Sequence, residues 1–368
     1  MPLELFDDGA TRSVMADWLE TKVYCENVTM SHADLIRSQS VREDPVNGGE
    51  FDDETGEYLD AEILDTRADS TSDAVWAELK YRQRLLGVNY PFVLESRPSG
   101  GWSLSLAPRD GGASLARRCY LVCLLVASLR RGILTPPKSD WANPVIEAYK
   151  SLTKSAADVF QAASFLAAPA MVDGTAHWFG WPRPDATSKM RGAIERLIER
   201  IGHGKLKQKD PEWTTGYEKD GTVDIVVWRP FWDRHYGSVV VFGQVASGEN
   251  WRGKSINTFL KGHFFDWFED RPTEQYLAAM FIPFTLHDDA KESKHANFAQ
   301  VAQAAARRDE SDYGVVLDRL RLTELASARV ARRSEIDDFE RKLITRITRW
   351  IVLARAYAVT EPAILAPA

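Results

Sequence analysis

Apolar residues recur along most of the chain at helix or strand spacing, and polar clusters separate these segments. Helical spacing predicts helices over 71–86, 113–132, 145–168 and 186–202, and a long amphipathic helix from 334 onward. Short apolar runs predict strands within "YPFVLE", "WSLSLA", "VDIVVW", "SVVVFGQV", "LAAMFIPFTL" and "VVLDRLRL". The chain after 145 therefore alternates helices and strands, which predicts a mixed α/β sheet flanked by helices.

A polar segment with paired prolines, "GILTPPKSDWANP" at 132–144, marks the clearest break in this pattern. Helices and a hairpin precede it, and the strands of the larger sheet follow it. We therefore predict three parts: an α+β amino-terminal domain over 1–140, an α/β domain over 145–333, and a carboxy-terminal helix over 334–368. The length of 368 residues is compatible with more than one domain.

Charge is unevenly distributed along the chain. The first 80 residues contain 20 Asp and Glu but only 6 Lys and Arg, whereas the remaining residues contain 33 acidic and 40 basic side chains. Much of the acidity lies in residues 42–65, whose glycines and proline favour an exposed loop or linker. A loop that mimics nucleic acid or docks on a basic partner is the alternative interpretation.

Composition and motifs exclude several classes of protein. The longest apolar run is too short to span a bilayer, so we expect no membrane partner and a cytoplasmic location. Cys119 and Cys123 would share one helical face, and we interpret them as buried thiols in preference to a metal-binding pair. The histidines have no zinc-binding spacing, and the chain contains no P-loop, GxSxG or GxGxxG motif.

The strands "VDIVVW" and "SVVVFGQV" carry the strongest chemical signal. They are joined by a turn-forming segment, so Asp224 at the start of the first strand and Gln244 near the end of the second should lie at the same edge of the sheet. A divalent cation that activates water for phosphodiester hydrolysis needs oxygen ligands in this kind of arrangement. Asp224 could instead cap its strand or pair with Arg229, and Gln244 could satisfy backbone groups.

The sequences "DGTVD" at 220–224 and "GQVASG" at 243–248 resemble the core motifs of the PD-(D/E)XK nuclease superfamily, in its Mrr-like branch with Gln in the second motif. The resemblance implies a restriction-endonuclease-like fold. It also implies a Mg²⁺ or Mn²⁺ ion held by Asp224, the Gln244 amide and the carbonyl of Val245. An acid on the preceding helix is often part of such sites, and here that position corresponds to Gln161.

Two departures from the family pattern put activity in doubt. The catalytic lysine should lie two residues after Gln244, where this chain has Ala246, so Lys254 is the candidate for a migrated lysine. Gln161 lacks the charge of the usual acid, which Glu195 or Glu199 on the next helix could replace.

Basic side chains that could contact a phosphate backbone occur on the predicted helices and after the last strand. They are Lys189, Arg196, Arg319, Arg321, Arg332 and Arg333. For the helical residues the alternative is a solvated surface, and for those beside Asp318 it is an internal salt bridge.

Two functions follow from these observations. The first is a metal-dependent nuclease, with DNA as the expected substrate and bacterial defence or restriction as the expected setting. The second is a catalytically inactive scaffold or nucleic-acid-binding subunit of the same fold. In either case the amino-terminal domain could bind a protein partner, and the carboxy-terminal helix could serve a homodimer.

Overall fold

The computed structural model describes residues 3, 10–40, 51–52, 57–58, 61–98, 100–108, 114–185, 189–215, 222–233, 235–289, 297–332 and 336–360. Most of the predicted acidic loop at 42–65 lies outside these residues. The described helices are α1 Arg12–Glu26, α2 His32–Ser40, α3 Ala61–Leu86, α4 Leu115–Arg130, α5 Asn143–Ala167, α6 Met190–Ile201, α7 Ile256–Gly262, α8 Phe298–Tyr313, α9 Arg319–Arg332 and α10 Asp338–Ala358. The strands are β1 Met30–Ser31, β2 Phe51–Asp52, β3 Glu57–Tyr58, β4 Phe92–Ser96, β5 Trp102–Leu106, β6 Thr175–Trp178, β7 Lys205–Leu206, β8 Ile225–Arg229, β9 Val239–Val245, β10 Phe268–Asp270, β11 Tyr276–Phe281 and β12 Val315–Leu317.

The largest sheet has the strand order β12-β11-β9-β8-β6. β6, β8 and β9 form an antiparallel meander; β11 then adds in parallel to β9, and β12 adds in parallel to β11, each through a helical crossover. Such parallel additions need crossover connections, which α7 and α8 provide. The chain is thus of the mixed α/β class predicted from its sequence, with both faces of the sheet covered.

Helix ends follow local sequence signals. Gly202 ends α6 in the left-handed conformation, with a φ of 86°, and its N–H donates to the carbonyl of Ile198. Asp337 and Glu340 form a capping box at the start of α10. These signals explain why the predicted bounds of α6 and α10 lie close to the observed ones, whereas α3 begins ten residues before its predicted start, within the segment predicted as a loop.

The main hydrophobic core contains residues from both sides of the predicted boundary at 140–145. Trp18 and Leu124 from the first part share one cluster of buried side chains with Phe165, Phe281 and Trp350. Helix α4 packs against α5, α9 and α10. The division into domains stays a prediction, and the two parts share an apolar core. The three cysteines are buried free thiols, as expected for Cys119 and Cys123.

A fully buried network of charged side chains also joins the two parts. Asp17 on α1 accepts hydrogen bonds from Arg319 at 2.6 and 2.8 Å and from Arg82 on α3 at 2.7 Å. Arg82 also pairs with Glu20 and Glu78. Burial by itself would raise the pKa of Asp17, but Arg319 and Arg82 outweigh burial and lower it to about 2. The ionised form of Asp17 is therefore favoured inside the core.

Further polar side chains complete this network. The hydroxyls of Tyr90 and Tyr120 donate to Glu20. Burial raises the pKa of Glu20 in spite of its contact with Arg82. His287, which follows β11, lies 3.0 Å from the carboxylate of Glu78. Breaking a buried pair leaves an uncompensated charge, so this network links α1, α3 and α9 strongly.

Candidate functional site

Asp224 lies at the start of β8 and is held by backbone groups on both sides. Its Oδ2 accepts a hydrogen bond of 2.7 Å from the N–H of Val245, at the end of β9, and its own N–H donates to the carbonyl of Gly243 at 2.8 Å. On the other side, the N–H groups of Phe179 and Gly180 donate to its carbonyl. The antiparallel pairing of β8 with β9 thus places the carboxylate beside the segment predicted to share its site.

Gln161, on the carboxy-terminal half of α5, reaches the same place. A Cβ atom added at Gly180 would lie 2.4 Å from its Nε2 and 2.5 Å from Oδ1 of Asp224, so only glycine leaves room for both side chains. Gln161 is buried, and its Nε2 has no hydrogen-bond partner among the described residues. The structure therefore brings the predicted first-helix residue to the aspartate.

Gln244 follows Gly243, which pairs with Ile225, so it lies opposite Asp224 where β8 meets β9. Alternation along β9 puts Val240 and Phe242 in the cluster under α6, whereas Val241 lies in the main core under α5. Gln244 continues the first series and pairs in register with Met280 of β11. It is buried, and its Oε1 has no partner among the described residues. The meeting of its amide with the aspartate stays a prediction.

The lysine positions also differ from the family pattern in a way that packing explains. Ala246 is buried in a cluster with Trp251, Met280 and Tyr313, so a lysine at this position would enter the core. Lys254 is exposed and follows a 3₁₀ helix over Glu249–Gly253. Its side chain makes no hydrogen bond or ion pair with the residues described here.

Glu195 and Glu199 are exposed on α6. The buried face of α6, with Ile194 and Leu197, packs on the side of the sheet opposite α5. Neither glutamate faces this packing surface, and their replacement of the missing acid beside Gln161 stays a prediction.

The predicted phosphate-contacting residues have different environments. Lys189 and Arg332 are exposed, as is Arg321, whose Nη1 donates to the carbonyl of Val316 at 2.7 Å. Arg196 is exposed and lies 3.3 Å from Asp185, which offsets part of its charge. Arg333 lies outside the described residues.

Arg319 is corrected by the structure, because it is fully buried. Asp318 accepts hydrogen bonds from the N–H groups of Arg321 and Leu286, which fixes the start of α9 and directs Arg319 inward to Asp17. An arginine with 0% exposure does not contact a phosphate backbone from this position.

A basic cleft that sequence reasoning missed lies at the carboxyl edge of the sheet. Its volume is about 550 Å³, and Arg131, Arg252 and Arg308 line it together with Glu249. Arg252 and Arg308 both pair with Asp309; burial would raise the pKa of this aspartate, but the hydrogen bonds from both arginines lower it. Because these arginines come from three distant segments, no local pattern could have revealed the cleft.

His177 on β6 is buried beside the basic end of α6. Burial is the main reason that its pKa falls to about 4, and Arg200 adds to the effect. Among the residues that the structure describes, no group of three His, Cys, Asp or Glu side chains is arranged to hold a metal ion. None of the described helices has the length and apolar character needed to cross a membrane.

Comparison of the chain with protein-family models, with curated proteins and with solved structures found no match.

Proposed function

We propose that this protein is a metal-dependent phosphodiesterase that acts on nucleic acid at the edge of the sheet around Asp224. The observation that carries the proposal is the meeting of the Asp224 carboxylate, the buried Gln161 amide and the backbone of Val245 at the junction of β8 and β9. A buried amide without a partner is costly in a core, and such groups are retained most readily where a ligand can satisfy them.

The donors at this junction fit a hard divalent cation in chemical type. Mg²⁺ typically takes one or two carboxylates and completes its shell with water and substrate phosphate oxygens. Asp224 and the carbonyl of Val245 would hold the ion, and a half-turn of the Gln161 amide would present its oxygen in place of Nε2. When bound, the ion would activate water and polarise the phosphodiester.

The arrangement of the sheet agrees with the restriction-endonuclease-like fold implied by the sequence motifs. An antiparallel meander of β6, β8 and β9 is extended in parallel by β11, and α5, which carries Gln161, packs against the sheet in the main core. This agreement supports the proposal without depending on any single residue.

Nucleic acid is favoured as the substrate by the basic cleft at the same edge. Arg131, Arg252 and Arg308 line it, Arg130 lies nearby with its Nη2 3.3 Å from Ser247, and Lys254 is exposed just after this segment. Guanidinium groups bind phosphate oxygens through paired donors, and binding of this kind weakens as salt is raised. We propose duplex DNA as the substrate and assign charge stabilisation to Lys254.

The test is cleavage of supercoiled plasmid and of single-stranded oligonucleotides in Mg²⁺ or Mn²⁺. We expect Asp224→Asn to abolish cutting and Lys254→Ala to slow it by about 10²-fold, in the range for lost stabilisation of developing charge. Lys261→Ala, an exposed lysine on α7, is the matched control and should cut like the wild type. Metal-dependent cutting that survives Asp224→Asn would refute the assignment of the site.

A second candidate is a nucleic-acid-binding scaffold that has lost catalysis. Two observations favour it. Of the three residues at the junction, Asp224, Gln161 and Val245, only Asp224 has a carboxylate. Ala246 packs in the core at the position where the family has its lysine. The scaffold would shift duplex DNA in a salt-dependent manner without cutting it. Arg308→Gln should weaken that shift, whereas Arg349→Gln, an exposed arginine on α10, should leave it unchanged.

A further inference from the structure

A second large cavity lies at the end of α4 that is away from the sheet edge. The first turns of α4, the last turns of α10 and the end of β5 surround it. Its volume is about 760 Å³, within the range of small-molecule sites. Apolar side chains form most of its walls: Tyr24, Pro91, Leu106, Ala107, Leu121, Ile351 and Val352. Tyr24 is the one aromatic residue in the lining, and the Arg355 guanidinium lies over its ring at 5.4 Å, so the mainly aliphatic lining favours an alkyl ligand over a planar base.

Three arginines line this cavity: Arg117, Arg118 and Arg355. None of them forms an ion pair with the residues that the structure describes, and no Asp or Glu is among the residues that line the cavity. The first turn of α4, which carries Arg117 and Arg118, adds the positive end of a helix dipole. The cavity therefore combines apolar walls with an uncompensated positive charge.

The arginines keep hydrogen-bond donors for a ligand. Arg117 donates to the carbonyls of Val88 and Pro108, and Arg355 donates to the carbonyl of Cys25. Neutral carbonyls leave the charge of each guanidinium in place, and its five N–H donors are not exhausted. The guanidinium of Arg118 makes no hydrogen bond with a described residue, and partial burial lowers its pKa.

We propose that this cavity binds a small amphipathic anion, an alkyl carboxylate whose chain packs on the aliphatic walls and whose head group pairs with Arg118. An anion without an alkyl chain would pair with the arginine but not contact the apolar walls, and a neutral alkyl chain would contact the walls but not pair with the arginine. The site is separate from the sheet edge, and it does not depend on nuclease activity.

The test uses decanoate as the probe, with isothermal titration calorimetry on the full chain. We expect one saturable site, with acetate and decan-1-ol each binding at least tenfold more weakly, because each lacks one half of the interaction. A hydrogen bond to a charged group accounts for a change of that size.

Two variants make the result decisive. Arg118→Gln should weaken decanoate binding about tenfold, and so should Val352→Glu, which adds a negative charge at an exposed wall position. Arg349→Gln, an exposed arginine on α10 that does not line the cavity, should bind like the wild type. Absence of decanoate binding, equal binding of decan-1-ol, or unchanged affinity in both lining variants would overturn the proposal.

Discussion

Two groups of polar side chains are buried in this protein, and they differ in how their charges are matched. In the network around Asp17, each carboxylate contacts at least one arginine, and the side chains come from helices α1, α3 and α9. At the sheet edge, Gln161 and Gln244 are buried with amide atoms that have no partner among the described residues. The first group, with its paired charges, has the properties of a structural link between segments. The second group has buried amide atoms without partners, which a bound ligand could satisfy.

The largest expected effect comes from breaking the network. Arg319→Met should lower the free energy of unfolding by about 3–5 kcal/mol, because it leaves part of the buried charge of Asp17 unmatched. Urea denaturation followed by circular dichroism measures the change. Arg332→Met, at the exposed end of the same helix, is the control and should change the free energy by less than about 0.5 kcal/mol. A loss below about 1 kcal/mol for Arg319→Met would show that the network is not a structural link.

The next largest expected effect is a difference in the pH dependence of stability between His177 in the sheet and Asp17 in the network. The folded pKa of His177, about 4, lies below its usual value near 6.5, so the unfolded chain takes up the proton first as pH falls. Its contribution to stability is complete above pH 6.5 and is lost as pH falls toward 4, whereas Asp17 stays ionised to about pH 2.

Between pH 7.5 and 4.5 we therefore expect wild type to lose about 2–3 kcal/mol more than His177→Phe. Denaturant titrations of both proteins at the two pH values measure this difference. Parallel losses in the two proteins would mean that another group controls acid sensitivity.

The smallest expected effect on stability tests the unsatisfied group. Gln244→Leu removes a buried amide without a partner, so it should change the free energy of unfolding by less than about 1 kcal/mol in either direction. A loss above about 2 kcal/mol would instead place Gln244 with the structural network and weaken the contrast between the two groups.

The sequence by itself determined the elements and their local partners. The period of apolar residues predicted α4, α5, α6 and the strand pair β8 and β9, because each periodicity needs only one segment to be amphipathic or buried. The meeting of Asp224 with the end of β9 was also predictable, since a hairpin joins strands that are close in sequence. Gln161 was placed by resemblance and is found beside that aspartate.

Only the tertiary structure decided how distant charges pair and which face each side chain occupies. Arg319 looked like a phosphate contact in sequence, yet it is buried against Asp17, about 300 residues away along the chain. The three arginines of the cleft likewise come from separate segments. Such pairings depend on which surfaces pack together, and the period of a single helix or strand carries no information about that choice.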